Sequence, residues 1–312
     1  MSWDKFCAAN RQNWDERVAI HRCDTTGFYA VERFLAGEKR LYAIDSGELG
    51  EIAGKRLIHL QCHFGLDTLI LAREGAVATG LDFSPAAIAE ARRLAAEIGV
   101  AADFVCADVY DARHAVKGEF DIVFTTWGTI CWLPDIVRWA ETIASLLAPG
   151  GVFYFADAHP AMLVLEEREG RLVAEWAADT PIDEPLVFDE AQTYTGDPTP
   201  LTASRTYQWI HSLPRILGAL TATGLVLDFV HEHPWLPWPP FPMCVPNGNG
   251  AYCLPKGAPS LPLAISLRDH WPYHCAPSRA ASQDLSDLSG IGRDRQCLAV
   301  VGHRFPAGFC GP

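Results

Sequence analysis

Four short clusters in the chain carry side chains able to hold a ligand, and each follows an apolar run of strand length. They are Gln61-Cys62-His63-Phe64-Gly65-Leu66-Asp67, Asp82-Phe83-Ser84, Asp108-Val109 and Thr125-Thr126-Trp127-Gly128. A carboxylate such as that of Asp82 can accept two hydrogen bonds from a ribose diol. The first cluster feeds an apolar helical segment, and backbone N–H groups at a helix N-terminus attract a ligand carboxylate. Asp108 is suited to accept from an adenine amino group. Taken together, the three features describe a site for an adenosine-bearing ligand.

These clusters must be held by a regular scaffold, and periodicity supplies one between about Gly54 and His159. Strands are expected at Arg56–Leu60, Val77–Leu81, Phe104–Ala107, Phe120–Phe124 and Val152–Ala156. Between them, Leu66–Arg73, the stretch from Ser84-Pro85 to Gly99, and Asp135–Ala148 keep apolar residues at helical spacing. Ser84 followed by Pro85 is a helix start, and Pro149-Gly150-Gly151 a helix stop. Strands alternating with helices through short connections form a parallel sheet covered on both faces. In such a sheet ligands gather at the carboxyl ends of the strands near the point where strand order reverses. Outside this core a helix is expected at Phe28–Ala36, an acidic excursion (a hairpin) at 161–206, a helix from Ser212 to Gly224, and strands at Leu225–Val230 and Leu261–Leu267. The prolines of Pro234–Pro246 remove backbone donors and exclude a regular element there.

Composition narrows the function. The formal net charge is -13 over 312 residues, which argues against a nucleic-acid partner, since such binding draws on cationic contacts to phosphate. No apolar run is long enough to span a bilayer, and the polar N-terminus lacks the pattern of a secretory signal. A cytoplasmic setting follows, with the 10 cysteines reduced. Their spacing contains no C-x-x-C and supplies no metal framework. His231-Glu232-His233 places two imidazoles on one strand face, but no third ligand is spaced nearby, so no metal is expected.

With these residues in place, the chain resembles the class I S-adenosylmethionine-dependent methyltransferases. The resemblance rests on LIHLQCHFGLDTL, on GLDFS after a strand, and on FDIVFTTWGTICWLPD followed by LLAPGGVFYF. It is strong over 55–160 and weaker over 207–268. HLQCHFGLDTL and the preceding WDERVAIHR…FYAVERF are similar to a bacterial subgroup of small-molecule enzymes. The resemblance implies a doubly wound, mostly parallel seven-stranded α/β sheet with an N-terminal helical cap at 1–50. The methyltransferase domain is expected at 51–268, with an insertion after the fifth strand (161–206) and a proline/aromatic loop (234–258). Residues 269–312 form an atypical tail. The chain departs from the family at the first loop: its acid position is His59, its first two glycines are Gln61 and His63, and only Gly65 remains.

The implied activity is methyl transfer from S-adenosylmethionine to a small-molecule acceptor, at oxygen, nitrogen or carbon. A non-catalytic cofactor-binding protein is the alternative, and a nicotinamide-dependent oxidoreductase a more distant one, because G-x-G-x-x-G is absent. Cofactor-binding candidates are Gln61, Cys62, His63, Gly65, Asp67, Asp82, Phe83, Ser84, Asp108, Val109, Thr126 and Trp127. Trp14, Tyr29, Trp132 and Trp238 are expected to wall an apolar acceptor pocket that excludes water. His159, after the fifth strand, and His211, on the insertion side, are the candidate bases.

Overall fold

The computed structural model describes residues 3–38 and 40–273. Three helices lead in, α1 (Trp3–Arg22), α2 (Val31–Leu35) and α3 (Ala43–Glu48). The core then alternates β1 (Arg56–Leu60), α4 (Leu66–Arg73), β2 (Val77–Asp82), α5 (Pro85–Ile98), β3 (Asp103–Cys106), α6 (Ala112–Ala115), β4 (Phe120–Thr126), α7 (Ile136–Leu146) and β5 (Leu147–Ala158). An excursion follows: α8 (Pro160–Leu163), the hairpin β6 (Leu165–Arg168) and β7 (Arg171–Ala174), and the paired β8 (Leu186–Asp189) and β9 (Arg205–Gln208). The chain returns through α9 (Leu213–Ala222) and β10 (Val226–His233), makes the short β11 (Trp235–Leu236), β12 (Val245–Pro246) and β13 (Tyr252–Cys253), and ends on β14 (Ala264–His270).

The main sheet has seven strands in the order β10-β14-β5-β4-β1-β2-β3. Its parallel core reverses direction of winding between β1 and β4, with β14 antiparallel to its neighbours β5 and β10. Alternation along the strands sends side chains to two separate cores. Leu57, Ile122, Phe124 and Tyr154 face the layer of α4 and α5, whereas Ile58, Val123, Phe153 and Phe155 face that of α7 and α9. Both faces are therefore buried, which is why the strands read as nearly continuous apolar runs. Trp139 of α7 is fully buried against Phe153 and Phe155, with ring centroids 5.4 and 5.7 Å away.

Several expected boundaries shift. The segment at Phe28–Ala36 shortens to α2, because Ala30 stands in the left-handed region (φ 48°) and breaks the helix before Val31. α7 ends at Leu146 rather than Ala148, and β5 already begins at Leu147, paired with Phe120. A register irregularity between Phe120 and Ile122 absorbs the extra residues. Gly151 permits it, since a Cβ there would stand 2.9 Å from the carbonyl oxygens of Ala148 and Phe120. The proline-rich stretch is not wholly irregular: β11 and β12 each pair two residues with β13. β14 runs past the boundary at Arg268, as Asp269 and His270 pair with Phe153 and Val152. The atypical tail after Tyr273 lies outside the described residues.

Candidate active site

The loop between β1 and α4 keeps a backbone shape that its residue types do not favour. Gln61, His63 and Gly65 all have positive φ, at 56°, 51° and 79°. Only glycine adopts that region without a side-chain penalty, which is roughly 1–2 kcal/mol for other residues. The two departures from glycine are held by contacts. Gln61 Nε2 donates to the carbonyl of Thr129 at 2.9 Å, and the His63 amide donates to Asp82 Oδ2 at 2.8 Å. Gly65 has no substitute: a Cβ would meet Phe104 at 2.6 Å and Ala91 at 2.9 Å. Cys62 is buried under the loop, and His59 lies behind it, bonded through Nδ1 to Thr68 Oγ1 at 3.0 Å.

At the end of β2, Asp82 accepts from the Ser84 amide on Oδ1 and from His63 on Oδ2. Burial pushes its carboxyl up to about 6 despite these bonds. Asp108 accepts from the Tyr110 amide at 2.9 Å and from the Cys7 thiol at 3.4 Å. Beyond β4, Asp157 gathers the turn, accepting from the amides of Gly128 (2.6 Å) and Thr129 (2.9 Å) and from its own neighbour Ala158 (2.7 Å). Trp127 takes a left-handed conformation (φ 57°), and its indole N–H donates to Asp45 Oδ2 at 2.7 Å.

Helix α1 closes the site from above. Asn10 bonds both the amide and carbonyl of Tyr207, Asp15 accepts from the Ser84 hydroxyl, and His21 Nδ1 meets His63 Nε2 at 2.9 Å. Around the imidazole pair stand Trp14, Tyr29, Phe64 and Tyr194, with the hydroxyls of Tyr29 and Tyr194 bonded to one another. Burial and the nearby Arg17 push His21 down to about 3. It is therefore neutral when folded but takes a proton below about 6.5 when unfolded, so its contribution to stability is full above pH 6.5 and lost as pH falls toward 3. Urea unfolding of His21→Gln is expected to lose less stability than wild type between about pH 6.5 and pH 4; equal losses would contradict this role.

These elements enclose a cavity of about 490 Å³, within the roughly 300–1,000 Å³ range of small-ligand sites. It lies at the carboxyl ends of β1, β2, β3 and β4. Of the cofactor candidates, Gln61, Cys62, His63, Gly65, Asp67, Asp82, Phe83, Asp108, Val109, Thr126 and Trp127 line it. Ser84 does not, being spent as the N-cap of α5 and on Asp15. All four expected wall residues, Trp14, Tyr29, Trp132 and Trp238, line it.

The two candidate bases stand outside the lining. His159 caps α8 through Nδ1 and meets Glu232 Oε1 through Nε2 at 3.1 Å. His211 is buried with Nε2 on the Leu133 carbonyl at 2.7 Å. Each has a structural partner that holds its ring away from the cavity. Among the described residues no cluster of three potential ligands could hold a metal; His231 and His233 turn to Glu48 and Ser266. The lining also includes Asn10, Arg17, Asp157, Tyr194 and Gln208, which sequence reasoning did not single out.

Residues 58–151 match the family model of a methyltransferase domain. The matched segment runs from β1 into β5 and so contains the loops that follow β1, β2, β3 and β4. Ubiquinone biosynthesis O-methyltransferase of Escherichia coli O6:H1 is 33% identical over 152 residues, covering 45% of this chain and 58% of that protein. The protein of the same name from Aromatoleum aromaticum is 36% identical over 107 residues, or 34% and 44% of the two chains. The chain thus spans about half the length of the curated relatives it matches. Among solved structures, an S-adenosylmethionine dependent methyltransferase from Mesorhizobium loti superposes with a TM-score of 0.51 at 20% identity, covering 72% of this chain and 94% of that one. One from Clostridium acetobutylicum gives 0.50 at 14% identity, covering 78% and 98%. These are likenesses of fold, and the fold is the Rossmann-like one of class I methyltransferases.

Proposed function

We propose that this chain transfers a methyl group from S-adenosylmethionine to a small-molecule acceptor, at oxygen, nitrogen or carbon, leaving S-adenosylhomocysteine. The observation that carries the reading is one cavity into which Gln61, Asp82 and Asp108 all open, within the segment that matches a methyltransferase domain. The names of the matched relatives support oxygen as an acceptor atom.

The residues present fit the cofactor. Gln61 Oε1 is buried without a partner in the lining, the acceptor that an amino-acid ammonium group needs. Asp82 accepts backbone amides, Ser84 on Oδ1 and His63 on Oδ2, and a carboxylate with about four acceptor sites keeps lone pairs for ribose hydroxyls. Asp108 and Val109 line the same cavity, where Asp108 is suited to accept from an adenine amino group and Phe83 supplies an apolar face. The cofactor, when bound, supplies an electrophilic methyl carbon on a sulfonium. The chain's part is alignment: Trp14, Trp132, Trp127 and Trp238 form walls that orient an acceptor and exclude water. Aromatic faces also favour a cationic ligand. The Gln-Cys-His-Phe-Gly loop supports membership of a bacterial subgroup of small-molecule enzymes, the acidic charge argues against nucleic-acid acceptors, and a cytoplasmic setting suits both.

The test is turnover. Purified protein given cofactor labelled in the methyl group and a fractionated small-metabolite extract should release S-adenosylhomocysteine and label an organic product. Tight cofactor binding with no labelled product from any fraction would favour a silent binding protein instead.

A further inference from the structure

We propose that the acceptor carries a carboxylate on a planar ring, and that Arg17 holds it. The acceptor role rests on the methyl-transfer reading; the anion site itself does not. Arg17 projects from α1 into the cavity lining and is 4% exposed. Among the described residues no hydrogen bond or ion pair reaches its guanidinium, and Nε is buried without a partner. Glu190 also lines the cavity but forms no ion pair with it. Instead three rings surround the cation: Trp14 at 5.0 Å, Tyr194 at 5.4 Å and Trp132 at 5.9 Å from the guanidinium carbon.

A buried cation is costly unless paired, and aromatic faces return only part of that cost. The remainder is available to an anion that enters the cavity. A guanidinium fork matches a carboxylate with two parallel hydrogen bonds, and the flanking rings suit a flat neighbour. Two of the three rings come from the turn after β4 and from the insertion, elements of the acceptor side. The methyl-transfer reading assigns the amino-acid end of the cofactor to Gln61 and the start of α4. Hence the anion assigned to Arg17 belongs to the acceptor.

Benzoate and benzamide are nearly isosteric and differ in charge, and the indoles of Trp14 and Trp132 report binding beside Arg17 by fluorescence. With S-adenosylhomocysteine saturating, wild type should bind benzoate roughly tenfold to a hundredfold more tightly than benzamide, the worth of a charge-assisted hydrogen-bonded pair. Arg17→Met should bind the two alike, keep its affinity for S-adenosylhomocysteine within about twofold, and, without ligand, melt no lower than wild type. Benzoate binding no tighter than benzamide in wild type, or failure of both to bind, would overturn the proposal, and this comparison needs no variant to fold. A parallel collapse of S-adenosylhomocysteine affinity in Arg17→Met would also overturn it, assigning Arg17 to the cofactor's own carboxylate. If S-adenosylhomocysteine fails to bind wild type, the methyl-transfer reading fails, and the benzoate–benzamide pair run without it still decides the anion site.

Discussion

Asp82→Ala is expected to weaken S-adenosylhomocysteine binding by at least tenfold. The carboxylate acts twice. It would accept from the ribose hydroxyls, and it already accepts from the His63 and Ser84 amides. Hydrogen bonds to a charged group contribute about 1.5–3 kcal/mol each, and a buried donor left unpaired costs about 1–3 kcal/mol. Truncation therefore removes ligand contacts and loosens the loop whose left-handed residues have no intrinsic reason to stay in place. Asp82→Asn separates the two roles. Its single amide oxygen can serve one of the two backbone donors, so it should bind more weakly than wild type but better than alanine. Calorimetry showing wild-type affinity in Asp82→Ala would remove Asp82 from the ribose site.

Asp45→Asn is expected to abolish a loss of stability that wild type suffers as pH rises from about 6.5 to 8. Asp45 is buried, and desolvation, with Asp67 and Glu48 nearby, pushes its carboxyl up to about 8 although Trp127 and Tyr154 bond to it. The folded form thus holds a proton that the unfolded chain releases near 3.8. A raised carboxyl contributes stability that is full below its unfolded value and lost as pH climbs through its folded value. One group gives a slope of at most about 1.4 kcal/mol per pH unit. Across this window His21 and His59 are neutral in the folded state and lose their remaining unfolded-state protons near its lower end, a contribution that wild type and variant share. When Asp45 is protonated, its hydroxyl faces the Tyr154 oxygen while Tyr154 donates to Glu48 Oε2, 3.3 Å away. Asparagine reproduces that pattern: its NH2 donates to Tyr154 and its oxygen accepts from Trp127. Urea unfolding at several pH values should show the wild-type midpoint falling relative to that of the variant as pH rises; parallel curves would contradict a protonated Asp45.

The strands were legible in the amino-acid pattern because burial on both faces makes them uninterrupted apolar runs. The long helix α1 was not, although a helical cap was expected at that end. Its inward face carries Phe6, Asn10, Asn13, Arg17, Val18 and His21, which has helical spacing but mostly polar chemistry, so a search for apolar periodicity passes over it. The same polarity marks the face as part of the site. The strand-end residues of the first loop, β2 and β3 were readable from topology alone. Asp157 and Asp45 were not, since a buried acid that organises backbone amides or an indole has no local signature. His159 and His211 illustrate the converse: both sit near strand ends in sequence, but a helix cap and a carbonyl turn their rings aside.

The most direct test of the central claim is calorimetric titration of the full chain with S-adenosylmethionine and, separately, with NADH. Saturable binding of one S-adenosylmethionine per chain, lost on Asp82→Ala and with no heat from NADH, is the expected result. Binding of NADH without binding of S-adenosylmethionine would contradict the account.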